Sequence, residues 1–269
     1  MSDLLSDAFL QHALQVAHDA ARRAGELINH YYGAGVDVVL KADASPVTRA
    51  DIESEQVIRE TLLTAFPTHA IYGEEHGFSG EGDFLWLVDP IDGTKSFVRR
   101  YPMFSTQIAL MHRGELVLGV SYASAFGEMA WAVRGGGAWL DGNPIRVAAI
   151  DQLAQATLST GNLKSLAASA GGWQRLAELV QQVSRIRGYG DFVHYHLLAR
   201  GALDLVIESD VNILDIAALA VIVREAGGVF TDLDGAPLNL QTRSVLAGTP
   251  TLHAQVQNLM RHWREGTHD

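Results

Sequence analysis

Phe84-Leu85-Trp86-Leu87-Val88-Asp89-Pro90-Ile91-Asp92-Gly93-Thr94-Lys95-Ser96 is the stretch whose reading decides the fold. Residues 84–88 form an apolar run of strand length, which predicts a buried strand. That strand ends on Asp89 and Asp92, so two carboxylates stand near its carboxyl end. Pro90 has no N–H to give to a ladder, and the chain is expected to turn there. Gly93-Thr94 then allows a tight turn into a short helical segment. The result is a pair of acidic side chains beside free backbone N–H groups. Carboxylates attract a hard cation, and a helix N-terminus attracts a phosphate. Alone, then, the stretch predicts a metal-assisted phosphate site.

The rest of the chain narrows the class. Its 269 residues allow one large domain or two packed halves. A composition 48% hydrophobic and 19% charged is globular and can bury a substantial core. There is no cysteine, which excludes disulfides and zinc–thiolate sites and fits a reducing compartment. No basic stretch followed by a long apolar run opens the sequence, and no apolar run reaches membrane-spanning length, so neither a signal peptide nor a membrane partner is expected. The net charge of −11 argues against nucleic acid. An acidic protein acting on an anionic phosphate needs local cations, which favours bound metal.

Toward the N-terminus, Leu5, Phe9, Ala13, Val16, Ala17, Ala20, Ala24 and Ile28 recur mostly at spacings of three and four. They predict an amphipathic helix over 3–32. A strand at Val36–Leu40 follows, with Lys41 as a solvated charge at its end. A polar loop then enters a helix over 49–65, capped by Thr48 or Ser45. Asp51 falls in its first turn, where a carboxylate suits the helix dipole, a structural role that competes with a functional one. The Glu53–Glu60 spacing reads as a solvated face. Ala70-Ile71-Tyr72 reads as a short strand leading into Gly73-Glu74-Glu75.

Toward the C-terminus, Phe104–His112 and Glu115–Ser121 joined by Arg113-Gly114 predict an antiparallel hairpin. Strands follow at 128–133 and 138–140. The glycines at 135–137 lack the strand–G-x-G-x-x-G–helix context of a dinucleotide site. The second half reads as a strand at Ala156–Ser159, a helix at 173–184, a helix at 191–200 with Asp191 as N-cap, and a strand at Leu203–Ile207. Then come a helix at 213–226 ended by Gly227-Gly228, strands at Val229–Thr231 and Ser244–Ala247, and a helix at 250–264. We divide the chain at 1–150, with an antiparallel sheet and most acidic candidates, and 151–269, with a smaller mixed sheet. Trp86, Phe84, Phe97 and Phe104 are expected in the core. His194 and His196 are two apart on a helix, on different faces, so packing is expected rather than a shared metal.

Five acidic residues stand at element ends: Asp51, Glu74, Asp89, Asp92 and Asp215. Their order alone does not show that they converge. Gly73-Glu74-Glu75, Asp89-Pro90-Ile91-Asp92-Gly93-Thr94 and Leu214-Asp215-Ile216-Ala217-Ala218 resemble the inositol monophosphatase superfamily. Pro46-Val47-Thr48-x-x-Asp51 and Glu225-Ala226-Gly227-Gly228 match it as well, and the likeness spans roughly residues 35–250. It implies an α/β protein with the layered αβαβα sugar-phosphatase fold and a site between the halves. It implies a Mg²⁺-dependent phosphate monoester hydrolase acting on a small molecule.

The resemblance assigns roles residue by residue. Glu74, Asp89, the Ile91 carbonyl, Asp92 and Asp215 are similar to ligands of two or three Mg²⁺. Asp51 and Thr94, with Glu74, form the implied catalytic set that positions and deprotonates water. The N–H groups of Gly93 and Thr94 are implied phosphate holders. Mg²⁺ takes oxygen ligands, and in-line attack needs positioning and charge stabilisation rather than a nucleophilic side chain. One departure stands out: the family usually has Trp before the last Asp, and this chain has Leu214. We expect it to pack and to change local shape without loss of metal. A homodimer, a cytoplasmic location and inhibition by Li⁺ are also implied.

For the substrate, Arg185–Phe192 is similar to the corresponding run of the histidinol-phosphate phosphatases in this superfamily. So are Ser45-Pro46-Val47-Thr48 and Thr94-Lys95-Ser96-Phe97. The implied substrate-binding residues are Asp92, Arg187, Asp191, Glu208 and Asp215. Histidinol carries an amine and an imidazole, which acidic side chains suit. L-Histidinol phosphate is therefore the expected substrate, in histidine biosynthesis, with inositol 1-phosphate as the alternative. Glu208 matches a position that contacts inositol in relatives and does not discriminate. A regulatory or binding relative without turnover is the alternative from another class, and the intact acidic set speaks against it.

Overall fold

The apolar spacing of the N-terminal segment becomes helix α1 (Asp7–Ala34), which buries Leu10, Ala13, Ala17, Ala20, Ala24 and Ile28 along one face. The computed structural model describes residues 5–34, 38–40 and 46–260. Lys41, Ser45, Val36 and the expected last turn at 261–264 lie outside the described residues. Next come β1 (Val38–Leu40), β2 (Pro46–Thr48), α2 (Arg49–Ala65), β3 (Ala70–Gly73), β4 (Gly77–Ser79), β5 (Phe84–Asp92) and α3 (Thr94–Val98). They are followed by β6 (Ser105–His112), β7 (Glu115–Ala123), β8 (Glu128–Val133), β9 (Ala138–Leu140) and β10 (Asn143–Ile145). The second half holds β11 (Thr157–Gly161), α4 (Leu163–Ala167), α5 (Ala170–Val180), β12 (Arg185–Arg187), α6 (Asp191–Ala199) and β13 (Leu205–Ser209). It closes with α7 (Ile213–Glu225), β14 (Val229–Thr231), β15 (Ser244–Gly248) and α8 (Pro250–Met260). No helix among the described residues is long and apolar enough to cross a membrane.

Two units divide the chain. One is Met1–Asn143 with Leu214–Ile222; the other is Pro144–Ile213 with Val223–Asp269. In the first, the sheet order is β10-β9-β8-β7-β6-β5-β3-β4; β3 and β5 run parallel, and the other neighbours from β4 to β9 are antiparallel. Arg113 and Gly114 both take positive φ, 51° and 86°, as a tight hairpin turn between twisted strands requires. Leu118 and Val120 of β7 enter a core with residues of α1 and α2, including Ile28, Ile58 and Leu62. Trp86, Phe97 and Phe104 are fully buried there, and Phe84 packs against it half-buried. Strand alternation turns Gly119 to the opposite face. There its backbone meets Ala218 of α7 so closely that an added Cβ would overlap the Ala218 carbonyl. Helices thus cover both faces, and the α7 turn bearing Asp215 rests on β7.

The second unit is a mixed sheet, β12-β11-β13-β15-β14, with β11 parallel to β12 and β13 and the other pairs antiparallel. Leu205 and Ile207 of β13 pack with Leu176 and Leu179 of α5 and Leu252 and Val256 of α8. Glu208 points to the opposite side, toward α6.

Four expectations need correction. The chain does not turn at Pro90: β5 runs on to Asp92 through a register shift that absorbs the missing donor. The helix expected at 173–184 begins instead at Ala170, because Ser169 caps it by accepting the Gly172 N–H at 3.1 Å. Asp191 is not an N-cap; Gly190 holds that place, and Asp191 opens α6 with φ 47°. The face at Glu53–Glu60 is not uniformly solvated, since Glu55 is wholly buried.

Candidate active site

Register brings the first two carboxylates together. β3 and β5 run parallel with Gly73 opposite Val88. The next residues, Glu74 and Asp89, therefore follow side by side where the β3–β5 ladder ends, and the Glu74 N–H donates to the Val88 carbonyl at 3.2 Å. Beyond Asp89 the ladder to β6 slips and resumes at Asp92–Ser105. Within the slip, Thr106 Oγ1 donates to the Pro90 carbonyl at 2.9 Å. Asp89 Oδ1 accepts the Ile91 N–H at 3.0 Å, which fixes its carboxylate. Ser105 Oγ donates to Asp92 Oδ2 at 3.3 Å.

The strand ends at Gly93, where φ is 86° and an added Cβ would lie 2.5 Å from the Met103 carbonyl. Both the backbone conformation and the space require glycine. Gly93→Ala is therefore expected to destabilise the protein by about 1–3 kcal/mol, read as a lower Tm.

Asp51 comes from the start of α2. Thr48 is the N-cap, and its N–H and Oγ1 both donate to Asp51 Oδ2, at 2.8 and 2.6 Å, in a capping box. The structural role foreseen for Asp51 is thus filled by one carboxylate oxygen. The other, Oδ1, faces Thr94 Oγ1 at 3.3 Å. Thr94 Oγ1 also lies 3.0 Å from the Ile91 carbonyl, so its single proton has two acceptors. Asp51 is 1% exposed. Burial pushes its carboxyl up to about 6; the Thr48 hydrogen bonds act the other way, and Glu75 and Glu74 add to the rise.

Asp215 stands in the first turn of α7, half-buried, behind Leu214, which is 1% exposed and packs as expected of it. Burial raises the Asp89 carboxyl well above its ordinary value, and the charges of Glu74, Asp215 and Asp92 raise it further. Four carboxylates from three separate elements are therefore electrostatic neighbours. No group of three or more His, Cys, Asp or Glu among the described residues is already closed to metal-ligand spacing. The donor set is nonetheless all oxygen, and the repulsion borne by buried Asp89 is what a divalent cation relieves. These residues fit Mg²⁺.

Sequence reasoning missed the support around these groups. Thr106 and Ser105 read only as strand residues. Gln107 Nε2 lies 2.7 Å from Ser105 Oγ and 3.0 Å from Ser121 Oγ, a buried polar chain behind Asp92. A polar Ser-Thr-Gln run inside an apolar strand was the available signal.

The candidates Arg187, Asp191 and Glu208 belong to the second unit. Arg187 is exposed, and its Nη1 donates to the Ile186 carbonyl at 2.7 Å. Asp191 is half-buried. Glu208 is buried: its Oε2 accepts the Tyr195 hydroxyl at 2.7 Å and lies 3.0 Å from His194 Nε2. The parallel pairing Gly161–Glu208 leaves no room for a Cβ at Gly161 against that carboxylate. His194 Nδ1 is 3.3 Å from Ser159 Oγ, which accepts the Tyr189 N–H at 3.2 Å. His194 and His196 are both buried, His194 with its two ring nitrogens against these polar partners.

Comparison with known proteins adds four findings. The model of the inositol monophosphatase family matches residues 10–264. A histidinol-phosphatase from Mycobacterium tuberculosis is 41% identical over 231 residues, 82% of this chain and 88% of that protein. An inositol-1-monophosphatase from Caulobacter vibrioides is 35% identical over 254 residues, 90% of this chain and 98% of that protein. Among solved structures, the extragenic suppressor protein suhB from Bartonella henselae superposes with a TM-score of 0.83 at 30% identity, covering 92% of this chain and 98% of that one.

Proposed function

The chain belongs to the inositol monophosphatase family, and from that premise we propose that it hydrolyses L-histidinol phosphate to L-histidinol and phosphate. It is a phosphatase, and Mg²⁺ dependence is general to the family. The observation that carries the reaction is the parallel β3–β5 register, which sets Glu74 beside buried Asp89 at the strand end that also bears Asp92.

Glu74, Asp89, the Ile91 carbonyl, Asp92 and Asp215 would hold two or three Mg²⁺. When bound, Mg²⁺ supplies Lewis-acid activation of water and of the phosphoryl oxygens. The chain's own part is positioning and proton transfer. When Thr94 Oγ1 donates to Asp51 rather than to the Ile91 carbonyl, its lone pairs are turned to accept a hydrogen bond from the attacking water. As the water oxygen bonds to phosphorus, its proton passes to Thr94 Oγ1 and the Thr94 proton passes to Asp51, while the ester P–O bond opposite breaks and the departing histidinol oxygen takes a proton from solvent water. The N–H groups of Gly93 and Thr94 hold the phosphate. We assign metal chemistry chiefly to 1–150 and substrate selection to 151–269.

The histidinol reading rests on the likeness to histidinol-phosphatases and on the acidic character of Asp191, which suits a cationic leaving group; Glu208 lines the substrate under either reading. Arg187, Asp92 and Asp215 complete the proposed substrate contacts. A homodimer in the cytoplasm goes with the same reading. The inositol reading is kept because an inositol-1-monophosphatase is 35% identical over nearly all its length. Comparing kcat/KM on L-histidinol phosphate and inositol 1-phosphate decides between them. A higher value on the histidinol ester is expected, and a clear preference for the inositol ester overturns the assignment.

A further inference from the structure

We propose that Glu55 is a positioning residue for Glu74, acting through the turn that Glu74 opens. The proposal rests on the reading of Glu74 as an Mg²⁺ ligand. Glu55 stands one helical turn beyond Asp51 on α2 and is 0% exposed. A carboxylate that deep is costly unless its oxygens are met by donors. The donors come from the turn joining β3 to β4. Glu55 Oε2 accepts the Glu75 N–H at 2.6 Å, and Oε1 accepts the His76 N–H at 3.1 Å. His76 Nδ1 lies 3.1 Å from the same Oε1, and the Arg59 guanidinium 3.6 Å from it.

The turn is therefore wrapped around a side chain that reaches it from the helix. Glu74 is held on one side by its N–H to the Val88 carbonyl and on the other by the clamped residues 75 and 76. Asp89 and Asp92, by contrast, are fixed within β5, and Asp215 by α7. Glu74 is the candidate ligand whose position depends on a turn, and Glu55 sets that turn. One helix thereby places both Asp51 and Glu74. Gly73 is explained in the same way: an added Cβ there would overlap the Glu55 carboxylate. This glycine is needed for space, since its φ is not among the positive ones.

The test is calorimetric titration of the metal-free protein with Mg²⁺, with phosphate release as a second readout. Wild type must bind first; if it does not, the metal reading fails and the role of Glu55 is not what failed. In Glu55→Gln the amide NH₂ faces a backbone N–H, donor against donor. Mg²⁺ affinity is expected to drop by about 10- to 100-fold, as when partners behind metal ligands are removed. Turnover should recover as Mg²⁺ is raised, a split that a general loss of folding does not produce. Gly73→Ala should give the same shift with the carboxylate still present. A folded Glu55→Gln that binds Mg²⁺ as tightly as wild type overturns the proposal. Should neither variant fold, hydrogen exchange on the wild-type protein decides. Slow exchange at the Glu75 and His76 amides is expected, and exchange as fast as an open turn overturns the clamp.

Discussion

Asp89→Asn is expected to abolish Mg²⁺ binding by the metal-free protein and to lower turnover by about three orders of magnitude, because metal-assisted charge stabilisation contributes several kcal/mol. Calorimetry and phosphate release at high Mg²⁺ measure the two losses. The same variant should stabilise the metal-free fold. Asp89 is raised by burial and by Glu74, Asp215 and Asp92. Between the ordinary carboxyl value and the raised one, the folded protein holds more protons than the unfolded chain. Metal-free stability therefore falls as pH rises through that window and stays low above it. Asn carries no charge and can still accept the Ile91 N–H. Metal-free Asp89→Asn should melt above wild type at neutral pH and show a flatter dependence on pH. Added Mg²⁺ should raise the wild-type Tm and leave the variant unmoved. Turnover equal to wild type would remove Asp89 from the ligand set.

Asp51→Asn is expected to separate rate from binding. Asn can keep one capping contact to Thr48, but it cannot take a proton from Thr94. Turnover should fall by about 10²- to 10⁴-fold, the range for a lost general base, while calorimetry still detects Mg²⁺ binding. The pH profile follows from the same group. A base must be deprotonated to act, so kcat/KM of wild type falls as pH drops through the Asp51 pKa. Without metal that value is about 6, and a bound cation favours the carboxylate, so the acid limb should lie below it. In Asp51→Asn the limb should vanish. A variant that loses Mg²⁺ binding in step with turnover would make Asp51 a metal-holding group rather than a base.

The parts legible in the sequence were those written in local pattern. The three-and-four spacing of α1, the Arg113-Gly114 hairpin and Thr48 capping α2 all depend on neighbours in the chain. Asp89 and Asp92 at a strand end were readable for the same reason. Convergence was not readable from spacing, because it rests on a parallel register that puts Glu74 beside Asp89 and on a glycine in β7 that lets α7 approach. Pro90 misled because a register shift falls at it, where no N–H is called for, and its carbonyl still finds a donor in the Thr106 hydroxyl. Glu55 misled because its helical spacing matched an exposed face, while its partners are backbone groups of a turn. A side chain's burial against main-chain donors leaves no periodicity in sequence.

The most direct measurement is phosphate release by the purified chain from L-histidinol phosphate, inositol 1-phosphate and a few other small monoesters, with Mg²⁺ and after chelation. Hydrolysis of at least one ester that stops on chelation and returns with Mg²⁺ is the expected result. No release from any of them at ample Mg²⁺, or release that chelation does not affect, would contradict a metal-assisted phosphatase built on Asp89 and its neighbours.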